Sequence, residues 1–193
     1  MNMNRNRTRT AQQGYVLVTS LVLLLIVTIM AISMYRSFGV QEQIAGNLRE
    51  KGRALQAAEA AEQYAEQWMQ NGNGALATVT CTTLLAATPS NNVGQICNNP
   101  LNEPTIINVP WVTGAGAPIG TTYTPTTFTT GTGQNLYFAL PTFYITSLGI
   151  SADGTGTVYQ VDAVGYGGTQ NAVAVVESTY IVGSSTTCLS CSQ

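Results

Sequence analysis

The chain begins polar and then turns almost uniformly apolar. No charged residue lies between Thr10 and Tyr35, and Tyr15–Tyr35 reads YVLVTSLVLLLIVTIMAISMY. As a helix these residues would span about 31 Å, close to the hydrocarbon thickness of a bilayer. A core helix of a soluble domain would show a polar face, whereas only Thr19, Ser20, Thr28 and Ser33 interrupt this one. The pattern predicts a membrane-inserting helix. A cleavable secretory signal is the competing reading, since the N-terminus is basic and Ala31-Ile32-Ser33 looks like a small-residue cleavage site. The apolar run, however, exceeds the roughly 7–15 residues of such a signal's core.

Beyond the apolar run, Ile44, Leu48, Leu55, Ala58, Ala61, Ala65 and Trp68 recur at helical spacings, which predicts one face of an amphipathic helix. The intervening Gln, Glu and Ala residues favour helix intrinsically, and Asn71-Gly72-Asn73-Gly74 supplies the stop. The expectation is one continuous helix from Tyr15 to Gln70, about 84 Å long if straight. Gly39, Gly46 and Gly52 are the expected places for it to bend or melt locally. Ala57, Ala58, Ala60, Ala61 and Ala65 form a small-residue surface that admits close approach of another element, although helix propensity alone also accounts for alanines there.

The pattern then changes. Residues 71–135 are rich in turn formers, at Pro89-Ser90-Asn91-Asn92, Asn98-Asn99-Pro100 and Thr113-Gly114-Ala115-Gly116, with short strands predicted only around Thr105–Val109 and Thr121–Thr129. Three β-rich runs follow, Tyr137–Ile150, Thr157–Tyr166 and Ala172–Val182, joined by short Gly-containing connections that favour antiparallel hairpins. A helix with one apolar face is the natural cover for such a meander, so the predicted class is α+β: a long N-terminal helix packed on a C-terminal antiparallel sheet. The expected divisions are 1–14, a leader; 15–35, the membrane half of the helix; 36–70, its amphipathic half; 71–135, a loop-rich variable region; 136–183, the β-meander; and 184–193, a Cys-containing tail.

Charge sharpens this picture. All seven basic residues lie at or before Arg53, while the nine acids leave a formal charge of −2 overall. From Ala54 onward the charged residues are Glu59, Glu62, Glu66, Glu103, Asp153, Asp162 and Glu177, with no Lys or Arg. Nucleic-acid affinity rests largely on cations that neutralise phosphates, so no direct nucleic-acid binding is expected. The flanking charges (Arg5, Arg7 and Arg9 against Arg36 and Arg49) favour a cytoplasmic N-terminus by a small margin. Cys81, Cys97, Cys188 and Cys191 all follow the apolar run, and an even count beyond a membrane segment reads as disulfides with three possible connectivities. Local pairing, Cys81–Cys97 and Cys188–Cys191, needs the fewest assumptions.

Catalytic templates fail on inventory. There is no histidine, which removes the commonest general base and metal ligand. Asp153 falls in a predicted turn, and Asp162 and Glu177 fall on different strands, so no carboxylate pair is indicated. Asp153-Gly154-Thr155-Gly156 has one acid where a calcium loop needs several and reads as a hairpin turn. Cys188-Leu189-Ser190-Cys191 lacks a second half for a zinc site, and Gly165-Tyr166-Gly167-Gly168 precedes no helix. No cofactor or metal is expected, and no enzymatic activity.

Two motifs carry a resemblance. Gln12-Gln13-Gly14-Tyr15, after a basic leader and before the apolar run, resembles a type III prepilin signal, which implies cleavage after Gly14 and N-methylation of Tyr15. The segment GVQEQIAGNLREKGRALQAAEAAEQYAE, Gly39–Glu66, resembles the N-terminal signature of PilX-type minor pilins of the type IV pilus. It matches that signature at Glu42, Gly46, Asn47, Arg49, Ala54, Gln56, Ala57, Ala58, Glu59, Ala60 and Ala61. Asn171–Tyr180 is similar to the last strand of that family, and the middle of the chain resembles nothing. The resemblance implies a type IV pilin-like fold and a role in priming pilus assembly near the fibre tip. The implied partners are other minor pilins, the major pilin, the prepilin peptidase and a large tip adhesin. It also implies a location first in the bacterial inner membrane, with the C-terminal domain periplasmic, and then in the fibre. Twitching motility, adhesion and DNA uptake all fall within such a role.

One departure matters. Most pilins carry Glu at the fifth mature position, which here is Thr19. A carboxylate there costs about 2.5–3.5 kcal/mol at bilayer depth unless paired, and its partner is taken to be the N-terminal ammonium of the subunit already in the fibre. A subunit lacking it has nothing to offer a subunit above, although its own Tyr15 ammonium can receive the next one. Thr19 as a merely tolerated membrane residue is the plainer alternative. A minor pseudopilin of type II secretion, usually much longer, and an exported or anchored binding module are the rival functions.

Overall fold

The structure, a computed structural model, describes residues 9–101, 109–113, 116–131 and 135–183. Helix α1 runs over Arg9–Gln70, and contacts divide the chain into a unit Met1–Gly46 and a unit Asn47–Gln193. In the first unit the side chains of the apolar run are solvent-facing, from Tyr15 at 74 % exposure to Tyr35 at 81 %. Helical assignment is unbroken across Gly39, Gly46 and Gly52, so the expected local melting at these glycines does not occur. An added Cβ at any of the three would meet nothing; these glycines neither contact a neighbour nor open the helix.

In the second unit α1 ends where the chain turns left-handed at Gly72, φ +91°, a conformation that glycine adopts without a Cβ clash. Asn73 Nδ2 caps the last turn by donating to Trp68 O at 2.8 Å. Six strands follow: β1 Leu84–Ala87, β2 Ile96–Cys97, β3 Gly120–Tyr123, β4 Thr142–Ile150, β5 Gly156–Tyr166 and β6 Val173–Gly183. They form one sheet in the order β1-β3-β4-β5-β6, with β2 also on β4.

The three predicted C-terminal runs are the antiparallel meander β4–β5–β6, in register from Thr142↔Val164 to Gly156↔Gly183 with one irregularity between Ser147 and Gly149. The sheet as a whole is mixed rather than antiparallel, because β1 runs parallel to β3 and β2 parallel to β4. The segment read as loop-rich therefore supplies three strands. None exceeds four residues, too short for an alternating pattern to stand out. The strand expected at Thr121–Thr129 is the four residues of β3, and most of that expected at Thr105–Val109 lies outside the described residues.

Strand alternation sends Phe143, Ile145, Tyr159, Val161 and Ala163 to one face of the sheet, where they meet Ala61, Tyr64, Ala65, Trp68 and Met69 of α1. Tyr144, Val164 and Tyr166 point the other way and pack with Cys81, Cys97, Trp111 and Ile119. The packed helix face agrees with the predicted one at Ala58, Ala61, Ala65 and Trp68 and departs from it at Ile44, Leu48 and Leu55. Ala54, Ala57, Ala58, Ala61 and Ala65 are fully buried, whereas Ile44, Leu48 and Leu55 are 53 %, 66 % and 43 % exposed. The reason is proximity. A Cβ on Gly165 would lie 2.3 Å from Ala58 N and 2.4 Å from Ala54 O, so the sheet approaches the helix backbone itself and only small residues fit between.

Candidate functional site

The functional features of the sequence fall along α1. Gly14 and Tyr15 sit on an exposed helical surface, and a Cβ on Gly14 would have nothing within 4 Å. The four polar residues of the apolar run each turn back on their own helix. Thr19 Oγ1 donates to Val16 O at 3.0 Å, Ser20 Oγ to Leu17 O at 2.9 Å, Thr28 Oγ1 to Leu25 O at 2.8 Å and Ser33 Oγ to Ile29 O at 2.9 Å. A hydroxyl satisfied inside its helix does not need water, which removes most of the cost of placing it in lipid. Thr19 thus presents neither charge nor a free donor where a carboxylate would stand.

The signature residues divide into three groups. Ala54, Ala57, Ala58 and Ala61 form the tight joint with the sheet, and Ala60 is half-buried beside them. Glu42, Gly46, Asn47, Gln56 and Glu59 are exposed and join none of this packing. Arg49 reaches out instead, Nη2 donating to Asn135 Oδ1 at 2.9 Å.

Two further residues, which the motif reading did not single out, build a clamp. Arg53 Nη2 donates to Leu136 O at 2.6 Å, its guanidinium lies 4.6 Å from the centre of the Tyr137 ring, and Nη1 meets Glu50 Oε1 at 3.1 Å. Glu50 also accepts from the Gly168 N–H, and that hydrogen bond, with the Arg53 guanidinium beside it, holds its carboxyl below the ordinary range despite some burial. The pair fastens the segment entering β4 and the β5–β6 turn onto the helix. A Glu and an Arg three residues apart on one helix face was the signal available in the sequence.

On the opposite sheet face Cys81 and Cys97 are joined by a disulfide, Cα atoms 5.4 Å apart; Cys188 and Cys191 lie outside the described residues. The bridge is set among hydrogen bonds, since the Asn99 side chain both accepts from Cys81 N at 2.7 Å and donates to Cys81 O at 3.0 Å. Tyr144 Oη donates to Asn99 O at 2.6 Å, and burial pushes that phenol up to about 12. Asp162, 1 % exposed, takes its side-chain hydrogen bonds from Gln160 Nε2 at 3.1 and 3.3 Å. Burial raises its carboxyl to about 6, with the cross-strand Glu177 adding to the rise.

Asp153 behaves oppositely in the β4–β5 hairpin turn. Hydrogen bonds from Ser151 Oγ and from Thr155 bring it down to about 2. Among the described residues no three His, Cys, Asp or Glu side chains gather as metal ligands.

An exposed apolar helix followed by small-residue packing on a six-stranded sheet is the architecture of a pilin-like α+β fold. Residues 13–61 match the family described as PilX N-terminal, and over that stretch the chain is similar to PilX-type type IV pilins. The match ends within α1 and does not reach the sheet. The helix in which this match lies is long and apolar enough to cross a membrane, by length and composition. No curated protein and no solved structure matches the chain.

Proposed function

We propose that this chain is a minor pilin of the type IV pilus that primes assembly and stands at or near the fibre tip. One observation carries the reading: in an anchor of PilX type, the fifth residue after Gly14 is Thr19, whose hydroxyl is already satisfied by Val16 O. Such a subunit has no carboxylate for the N-terminal ammonium of a subunit above it, yet after cleavage its own Tyr15 ammonium can pair with the Glu of a subunit below. That polarity suits an end position. In this reading the N-terminus faces the cytoplasm and residues beyond the anchor face the periplasm. The peptidase cuts after Gly14 and methylates Tyr15, and the chain assembles with other minor pilins, the major pilin and a tip adhesin. The subunit works mechanically, exchanging lipid contacts along its helix for contacts with neighbouring helices, with no catalytic step.

The test is intact-mass and N-terminal peptide analysis of the protein from its native membrane, with immunogold labelling of sheared fibres. A chain starting at methylated Tyr15 and label at one fibre end are expected. An uncleaved Met1 or a chain starting at Met34 would overturn the pilin assignment, and label spread along the fibre would overturn the tip position.

A further inference from the structure

A cleft of about 710 Å³ opens on the second unit between β3, the start of β4 and the β5–β6 turn, a size within the usual range for small-ligand sites. Its apolar part centres on two rings, Phe138, 46 % exposed, and Tyr166, with centroids 5.6 Å apart and planes tilted by 55°. Its polar part includes the hydroxyls of Thr122 and Thr142, 3.4 Å apart, the hydroxyl of Thr130 and the amides of Gln170 and Asn171. Gln170 and Asn171 are exposed on the turn, and neither amide has a hydrogen-bond partner among the described residues. No described lining residue carries a charge.

We infer that this cleft binds a short neutral oligosaccharide of hexose or N-acetylhexosamine type. Three features select that class. A ring face carries a negative quadrupole, which attracts the polarised C–H face of a sugar, and an exposed Phe offers such a face at little ordering cost. Side-chain amides and hydroxyls both donate and accept, so they match sugar hydroxyls, which do the same. The described lining residues hold no cation for a phosphate, sulfate or sialic acid and no anion for an amine. With no Lys or Arg after Arg53, few cations are available to draw in an anionic ligand. The inference does not depend on the chain's place in a fibre.

The experiment uses the full chain in phosphocholine micelles, because a maltoside or glucoside detergent would itself offer sugar to the cleft. Cellotriose, maltotriose and chitotriose are titrated at millimolar concentration, with sialyllactose and an uncharged apolar tripeptide as counterparts, and read by saturation-transfer NMR and calorimetry. Binding of at least one neutral trisaccharide is expected. Phe138→Ala and Asn171→Ala should each weaken it by roughly tenfold or more, and Ile181→Ala, on β6 outside the cleft, should leave it unchanged. Thermal melts of the three variants report whether each still folds. No binding of any neutral trisaccharide would overturn the inference. So would equal binding by both cleft variants, or tighter binding of sialyllactose or of the tripeptide.

Discussion

The two faces of the sheet are sealed in different ways. On one, α1 lies directly on the strands: the closest contact is Ala against Gly, and the large polar rings beside it are hydrogen-bonded. Tyr159 Oη donates to Gly74 O at 2.5 Å and Trp68 Nε1 to Asn92 O at 3.0 Å. On the other, the cover is irregular chain held by a disulfide, and it encloses a carboxyl at Asp162 together with an unpartnered indole N–H at Trp111 and hydroxyl at Thr146. A regular element can approach closely because its backbone is already satisfied, whereas irregular chain brings polar groups that must find partners one by one. The helix face therefore resists change through sterics and the opposite face through cross-linking.

The contrast can be broken most severely at Gly165. Gly165→Val should destabilise the full chain by on the order of 3 kcal/mol or more, since the added atoms meet helix backbone that cannot rotate away. Thermal or denaturant melts in detergent check this, and a loss under about 1 kcal/mol would mean the approach is looser than the geometry indicates. Next in size, the Cys81→Ser/Cys97→Ser double variant should lose roughly 2–3 kcal/mol by freeing its loop in the unfolded chain, with the near-ultraviolet signal of the opposite face lost before that of Trp68 on the helix face.

Asp162 gives the contrast a pH dependence. Its carboxyl lies higher in the folded state, about 6, than its ordinary unfolded value near 3.9, so the native state holds the proton more tightly. Its contribution is most favourable at low pH and is lost as pH rises from about 4 through about 6, by roughly 3 kcal/mol. Asp162→Asn should flatten that window in melts at stepped pH and raise stability at neutral pH. Arg53→Ala should cost about 1 kcal/mol by releasing Leu136 O and the Tyr137 ring. The smallest effect is expected at Leu55, where Leu55→Ser should change stability by less than about 0.5 kcal/mol, because the residue is 43 % exposed. A larger loss there would return Leu55 to the core.

The sequence disclosed the elements that repeat a period. The apolar run, the helix stop at Asn71-Gly72 and the three long strands each show one, and each is present. Periodicity disclosed the packed side of α1 at Ala58, Ala61, Ala65 and Trp68 but also placed Leu48 and Leu55 on it, and both are exposed. Leu48 and Leu55 lie on as regular a stripe as the alanines, and only the approach of Gly165 decides between them. Nor could it disclose β1 and β2, whose places in the sheet come from long-range pairing such as Leu84↔Gly120 and Ile96↔Ile145, rather than from a local pattern. Of the site, the signature alanines were legible as small residues. The Glu50–Arg53 clamp was not, because its partners, Leu136 O and Gly168 N, are backbone atoms that any residue would supply.

The joint between Gly165 and Ala54, Ala57 and Ala58 has a mechanical meaning. A helix held to a sheet by long side chains can slip a turn at a time as rotamers change, with each step cheap. At this joint backbone rests on backbone with no side chain between, so a load applied along the helix finds no rotamer to exploit there. It must either lift the alanine segment off β5 or pass into the strands as shear on their hydrogen bonds.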